Sequence, residues 1–303
     1  MKIIVTGGSG FLGRHLLRAL RDAGHHPVNI DLVVNPEFET VVADVRDQAR
    51  MNQLIKDADV VFHLASLIEA GESVREPAKY LDYNLFGTLA VLEAMRLNNV
   101  KTFIFSSSAA IYGEPQRTPI KEDDRTLPIN PYGVTKLAME GLLNSYVNSF
   151  SFTGIALRYF NLYGPEEHHQ PETHAIPRFI DQLLHDQPIT VWGDGSHQRD
   201  FVYIDDIVAA HLLALDYAVA NPAQYYYMNL STGTASSVLN VIEQIGQIMG
   251  KTPTIEHHQF RPGDPLVLLA DPSKAQQQLG WQAQVSLPAG LKQTVEYFIS
   301  NHK

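Results

Sequence analysis

Short runs of branched apolar residues alternate along the chain with longer stretches patterned at the helical period. Lys2-Ile-Ile-Val-Thr6 is the first run. Pro27-Val-Asn-Ile-Asp31, Val41-Val-Ala-Asp44-Val45, Asp59-Val-Val-Phe-His-Leu-Ala-Ser66 and Thr102-Phe-Ile-Phe-Ser-Ser-Ser108 follow. Nearly unbroken apolar runs of this length suit strands covered on both faces, as in a parallel sheet. Helical patterning falls between and after them, at His15–Ala23, Tyr80–Leu97, a helix opening at Tyr132, Ala175–His185, Val241–Met249 and Leu287–Ser300. The alternation predicts an α/β fold built on a doubly wound parallel sheet. Tyr80–Leu97 is apolar nearly all round, so two sides must be covered. The helix after Tyr132 is similar, with Val134, Leu137 and Ala138 on one face and Met139, Leu143 and Val147 on another. The sheet can cover one side. A second copy of the chain is expected on the other, giving a homodimer through helices 80–97 and 132–149; C-terminal segments of the same chain are the alternative cover.

The first strand runs into Gly7-Gly-Ser-Gly10-Phe-Leu-Gly13 and then a helix. Gly7 can make the tight turn, Gly10 lets backbone approach a pyrophosphate, and Gly13 lets helix pack on strand, with the helix N-terminus facing the anion. This makes the sheet Rossmann-type and predicts a dinucleotide site. Asp31 ends the second strand, where a carboxylate meets the ribose diol of NAD and repels the extra phosphate of NADP; no Arg follows directly. Asp44 is a candidate for the adenine, although the loop from Asp31 to Val41 is short.

Three serines close the fifth strand, at the sheet edge where such folds bind ligands. Some two dozen residues on, Asn130-Pro131 marks a helix start, a good N-cap followed by a residue tolerated in the first turn. Tyr132 and Lys136 follow, four apart and so on one helix face. A phenol with an ammonium beside it is a candidate acid/base, and Ser108 could hold the same substrate hydroxyl. Free Tyr titrates near ~10, so a phenolate at neutral pH needs positive charge close by. A packed ring and a solvated Lys are the plainer account of such a pair.

Composition narrows the partners. A net charge of −10 over 303 residues argues against nucleic acid or an anionic membrane. No Cys is present, which removes disulfides, thiolate metal sites and Cys nucleophiles. No apolar run reaches the ~18 residues of a membrane span, and strand-like sequence from Lys2 leaves no room for a signal peptide, so a cytoplasmic protein is expected. His168, His169 and His174 cluster in a loop, but no metal site is expected there.

Gly7–Gly13, His63-Leu-Ala-Ser, Gly71-Glu-Ser73, Phe105-Ser-Ser-Ser-Ala, Tyr112-Gly, Tyr132-Gly-Val-Thr-Lys136 and Arg158-Tyr-Phe-Asn161 occur in one order. The ordered set resembles the NAD-dependent epimerase/dehydratase family of extended short-chain dehydrogenases/reductases, over essentially the whole chain. The resemblance implies NAD as cofactor and a UDP-sugar as substrate. It implies epimerisation at carbon 4 through a transient 4-keto sugar, with UDP-glucose, UDP-galactose and their N-acetyl forms as candidates. It implies Ser108, Tyr132 and Lys136 as catalytic residues. It puts Gly7, Gly10, Phe11, Leu12, Gly13, Asp31, Asp44, Val45, Leu64, Ala65, Ser66, Asn84, Ser106, Tyr132, Lys136 and Tyr159 on the cofactor. It puts Ser73, Ser108, Tyr132, Asn161, Arg199, Arg261 and Asp264 on the substrate, the two arginines at the diphosphate and Asp264 at the nucleoside ribose. Family dehydratases carry an acidic pair after the strand-five hydroxyl; here those positions are Ala109 and Ala110. Leu268 replaces a Tyr of some hexose-specific relatives, and Ile68 a frequent Lys. The expected division is an NAD-binding domain over 1–164, joined by about 197–218, and a nucleotide-sugar domain over 165–196 and 219–303. A nucleotide-sugar reductase, an epimerase acting at another carbon, and a non-catalytic dinucleotide sensor are the alternatives.

Overall fold

The computed structural model describes residues 1–168, 174–259 and 265–301. Among them, seven strands form a parallel sheet in the order Tyr225–Leu230, Thr153–Tyr159, Thr102–Ser108, Val60–His63, Lys2–Thr6, His26–Asp31, Thr40–Val42. The chain moves outward from the first strand in both directions, which is the doubly wound topology. Side chains alternate between its faces. Ile3, Val5, Phe62, Ile104, Ile155 and Leu157 join one buried cluster, with helices Phe11–Asp22 and Ile204–Ala220. Ile4, Val61, Phe103, Phe105 and Ala156 join another, with helices Gly87–Leu97 and Pro131–Phe150. Two-sided burial explains the unbroken apolar runs.

Several boundaries differ from the sequence pattern. The first helix begins at Phe11, because Gly10 itself is its N-cap. Helix 80–97 is part of a longer rod, Pro77–Tyr80 and Gly87–Leu97 joined by a π-helical turn, Leu81–Phe86. Its wider bore turns Asn84 into the interior, where it is wholly buried. Helix Ile204–Ala220 takes Tyr203 as its N-cap, and neither Asp205 nor Asp206 in its first turn does that job. Asp206 instead accepts from the backbone of Gln284 and Val285 at 2.9 and 3.0 Å, tying the C-terminal segment to this helix.

The smaller region holds helices Ala175–Leu184, Val238–Met249 and Leu287–Asn301, and a pair of strands, Ile189–Trp192 with Ile255–His258. Tyr225–Leu230, expected in the sugar domain, pairs in register with Thr153–Tyr159 as the outer strand of the large sheet. We propose a division that assigns 197–230 to the nucleotide-binding layer.

Candidate active site

The loops at the carboxyl ends of the parallel strands build one site. Gly7 sits at φ +76°, and a Cβ there would lie 2.6 Å from the Ala65 backbone nitrogen. A Cβ on Gly13 would lie 2.3 Å from the Gly7 carbonyl, so only glycine lets this helix seat on its strand. Gly10 differs: it is exposed, and its Cβ would meet only the Gly7 oxygen, at 3.3 Å. The fold itself therefore allows a side chain at Gly10, at the mouth of the helix N-terminus. Keeping that place bare suits a pyrophosphate brought close to backbone N–H groups. Asp31 accepts from Ser9 N at 2.9 Å and Val33 N at 3.0 Å, so it also braces the glycine turn. Each carboxylate oxygen has a further lone pair for a ribose hydroxyl. These residues fit NAD.

Asp44 does not present a free carboxylate. Arg46 grips it through Nε at 3.0 Å and Nη2 at 2.6 Å, and this pairing holds its carboxyl below the usual carboxylate range. Val45 is buried beneath Gly87. Leu64 N and Ala65 N are turned onto Thr6. Ser66 Oγ donates to Leu67 O, while Phe11 and Leu12 lie in the first helix turn.

Asn84 is spent within the protein. Its Oδ1 accepts from Leu67 N at 2.8 Å, and its Nδ2 donates to Leu67 O and to Thr135 Oγ1, both at 3.0 Å. Thr135 in turn donates to the Tyr132 carbonyl at 2.7 Å. The π-turn thus locks the strand-four loop to the helix that carries Tyr132 and Lys136, which makes Asn84 a positioning residue.

Asn130 caps that helix through Gly133 N at 2.8 Å, as the sequence predicts. Tyr132 is half-buried and Lys136 is 2% exposed. Lys136 Nζ donates to the Ser106 carbonyl at 2.7 Å and lies 5.8 Å from the centre of the Tyr132 ring. Burial brings Lys136 down to about 7. Burial also pushes Tyr132 up to about 12, opposed by a hydrogen bond with Ser108 and reinforced by the charge of Glu69. The chain's own groups therefore leave the phenol protonated near neutral pH, contrary to the depression that a ready phenolate requires.

A consequence for stability follows. Lys136 titrates near 7 when folded and near ~10.4 when unfolded, so across that window the unfolded chain holds more protons. Stability contributed by this group is lowest below pH 7 and rises as pH climbs toward 10. Unfolding the ligand-free protein at about pH 9 should take up close to one proton from solvent onto the Lys136 amine. Lys136→Met should abolish that uptake, read from the pH dependence of denaturant midpoints.

Beneath the catalytic face runs a buried hydrogen-bonded chain. Ser106 Oγ lies 3.0 Å from the Tyr159 hydroxyl, which lies 2.6 Å from His211 Nε2. His211 Nδ1 is 2.8 Å from the Ile207 carbonyl, which can only accept. The proton therefore sits on Nδ1, and Tyr159 donates to Nε2. Burial holds His211 neutral, down to about 4. His211 was not legible as a site residue in the sequence, where it is a lone His on an apolar helix.

On the substrate side, Ser73 is fully buried, and its hydroxyl donates to Ala70 O at 2.6 Å. Asn161 Nδ2 donates to Asp200 O at 3.0 Å. Arg199 Nη1 donates to the carbonyls of Gln198 and Pro265, both at 2.8 Å, which orients its guanidinium. Next to it Asp200 is wholly buried and accepts from Thr232 and Gly233. Arg261, Asp264 and His169 lie outside the described residues. His174 is paired with Glu167 at 2.6 Å.

This geometry agrees with what similar proteins are. The model of the "NAD dependent epimerase/dehydratase family" matches residues 3–227. The chain belongs to that family. A UDP-glucose 4-epimerase of Rhizobium leguminosarum bv. trifolii is 36% identical, with 94% of this chain and 93% of that one covered. The Thermotoga maritima UDP-glucose 4-epimerase, solved with UDP-glucose, superposes with a TM-score of 0.94 at 33% identity, covering all of both chains. A UDP-glucuronic acid 4-epimerase of Bacillus cereus, solved with NAD and a fluorinated UDP-sugar, superposes at 0.91 with 33% identity over 99% of each chain. Among the described residues of this epimerase/dehydratase family member, no helix is long and apolar enough to cross a membrane.

Proposed function

We propose that the chain epimerises a UDP-sugar at carbon 4, using NAD held for the whole cycle. The placement of Ser108 beside Tyr132 carries this reading, because it sets a hydroxyl that acts on the phenol at the carboxyl edge of the sheet. NAD, when bound, supplies a hydride acceptor and donor and a positive charge close to the phenol. Tyr132 takes the proton from the sugar's 4-hydroxyl and returns it, and Ser108 holds that oxygen in place. Lys136, fixed on the Ser106 carbonyl, supports the phenol from below. Arg199 and the residues expected at 261 and 264 hold the nucleotide, which leaves the sugar free to present either face. Binding energy placed on the anchor rather than on the sugar suits a reaction that needs both orientations. Ala109 and Ala110 supply no acid for removing water, which disfavours dehydration.

We read the active form as a cytoplasmic homodimer. Leu81, Phe86, Leu97, Val134 and Phe150 are exposed apolar residues on the two helices named for the interface. They support a partner face there.

The deciding experiment mixes purified protein with UDP-galactose, adds no cofactor, and follows the sugar by NMR. UDP-glucose should accumulate to equilibrium; turnover that appears only in a second mixture supplied with NADH, and consumes it stoichiometrically, would point to a reductase. Leu268 is half-buried and pairs with Arg199 across a short parallel ladder. With the smaller Leu268 there, UDP-N-acetylgalactosamine should turn over comparably, and Leu268→Tyr should lose the acetylated sugar selectively.

A further inference from the structure

One ionisable side chain close to the reacting end has no part in the proposed chemistry. Glu69 lies in the loop leaving the fourth strand, just before helix Ala70–Arg75, which packs on the helix bearing Tyr132. Two residues earlier Leu67 is clamped by Asn84, so the loop is held in place. Glu69 occupies the N-cap position but makes no side-chain capping bond, so capping does not account for its carboxylate. Its Oε1 is buried and makes no hydrogen bond, and its charge reaches the Tyr132 phenol. The imidazole of His174 lies near it, with Nε2 at 3.6 Å, and His174 Nδ1 in turn meets the buried Glu167 at 2.6 Å. With the imidazole protonated the three groups carry one net negative charge; with it neutral they carry two. The Glu69–His174–Glu167 cluster is therefore negative in either state, opposite in sign to a protonated Lys136 beside the phenol.

Resting on the epimerase reading above, we propose that Glu69 sets sugar selectivity. Its carboxylate makes the sugar end of the site accept neutral sugars, whose hydroxyls can donate to it, and exclude sugars that carry a carboxylate at carbon 6. The fold itself does not decide this, since proteins of the same fold act on UDP-glucose and on UDP-glucuronic acid. A hydroxymethyl group brings a donor and no charge. A uronate brings a second negative group within several ångström. At the effective dielectric of a partly buried site, that repulsion is worth on the order of tenfold to a hundredfold in affinity. Selectivity of this kind comes from a repulsive element set against the wrong ligand.

The test uses the NAD-loaded protein in three forms: wild type, Glu69→Gln and Glu69→Ser. Binding of UDP-glucose and UDP-glucuronate is measured by calorimetry, with kcat/KM in parallel. Wild type should bind UDP-glucose at least tenfold more tightly than the uronate. Both neutral variants should shrink that ratio at least tenfold, chiefly by binding the uronate better. A wild type that binds the two alike, or a ratio unmoved in both folded variants, overturns the role of Glu69 and leaves the epimerase reading standing. Selective binding that shifts as expected without carbon-4 turnover supports Glu69 and removes the epimerase reading. Failure to bind either sugar removes both.

Discussion

Tyr132→Phe should lower kcat on UDP-galactose by ~10²–10⁴-fold, the usual contribution of a positioned acid/base group. KM should stay within a few-fold, because Phe keeps the ring and its packing and the nucleotide anchor is untouched. The variant should also unfold at the wild-type midpoint. Ser108 acts on the phenol, opposing the upward push of burial, so Ser108→Ala should cost activity as well, and less than Tyr132→Phe. Adding the two losses in the double variant would overestimate the damage, since residues acting on one proton do not contribute independently. Steady-state kinetics on both single variants and the double one checks this. A Tyr132→Phe enzyme within a few-fold of wild type would end the proton-transfer assignment, whatever the fold.

Most of this arrangement was legible because each feature has a local cause. Two-sided burial makes strands such as Lys2–Thr6 unbroken apolar runs, and the backbone contact at Gly13 forces glycine. Asn130 caps its helix by a bond that needs only three residues of chain. What the sequence left hidden depends on where side chains point and on which distant segments meet. Asp44 lies two residues from the arginine that occupies it, yet that pairing shows only when both side chains are placed. Asp206 bonds segments 78 and 79 residues away. Whether Tyr132 is ionised depends on burial against Ser108 and Glu69, and no spacing rule carries that balance. The π-turn at Leu81–Phe86 keeps an ordinary helical pattern while turning Asn84 inward. Glu140 did leave a signal: it stands four past Lys136, on the face shared with Tyr132.

Glu140→Ala should be the most destabilising substitution near the site. Glu140 and Arg158 side chains are each 5% exposed and pair at 2.7 Å. Glu140 also accepts from Ser107 Oγ at 2.5 Å and from the Tyr225 hydroxyl at 3.1 Å. Arg158 in turn donates to Tyr112 and to the Glu122 carbonyl. One carboxylate therefore joins the fifth strand, the catalytic helix, the sixth strand and the outer strand Tyr225–Leu230. Removing it strands a buried guanidinium, which costs about 3–5 kcal/mol. For a chain of this size that should lower the thermal midpoint by on the order of 10 °C. Because Ser107 adjoins Ser108, kcat should fall too, although Glu140 touches no reacting atom. Replacing both partners, Glu140→Met with Arg158→Met, removes the stranded charge along with the pair and should recover most of the midpoint. A double variant no more stable than Glu140→Ala would mean that the hydrogen bonds to Ser107, Tyr225 and Tyr112, rather than charge compensation, hold these four elements together. A loss below about 1 kcal/mol in the single variant, the level of an exposed pair, would mean that the cluster is hydrated in solution.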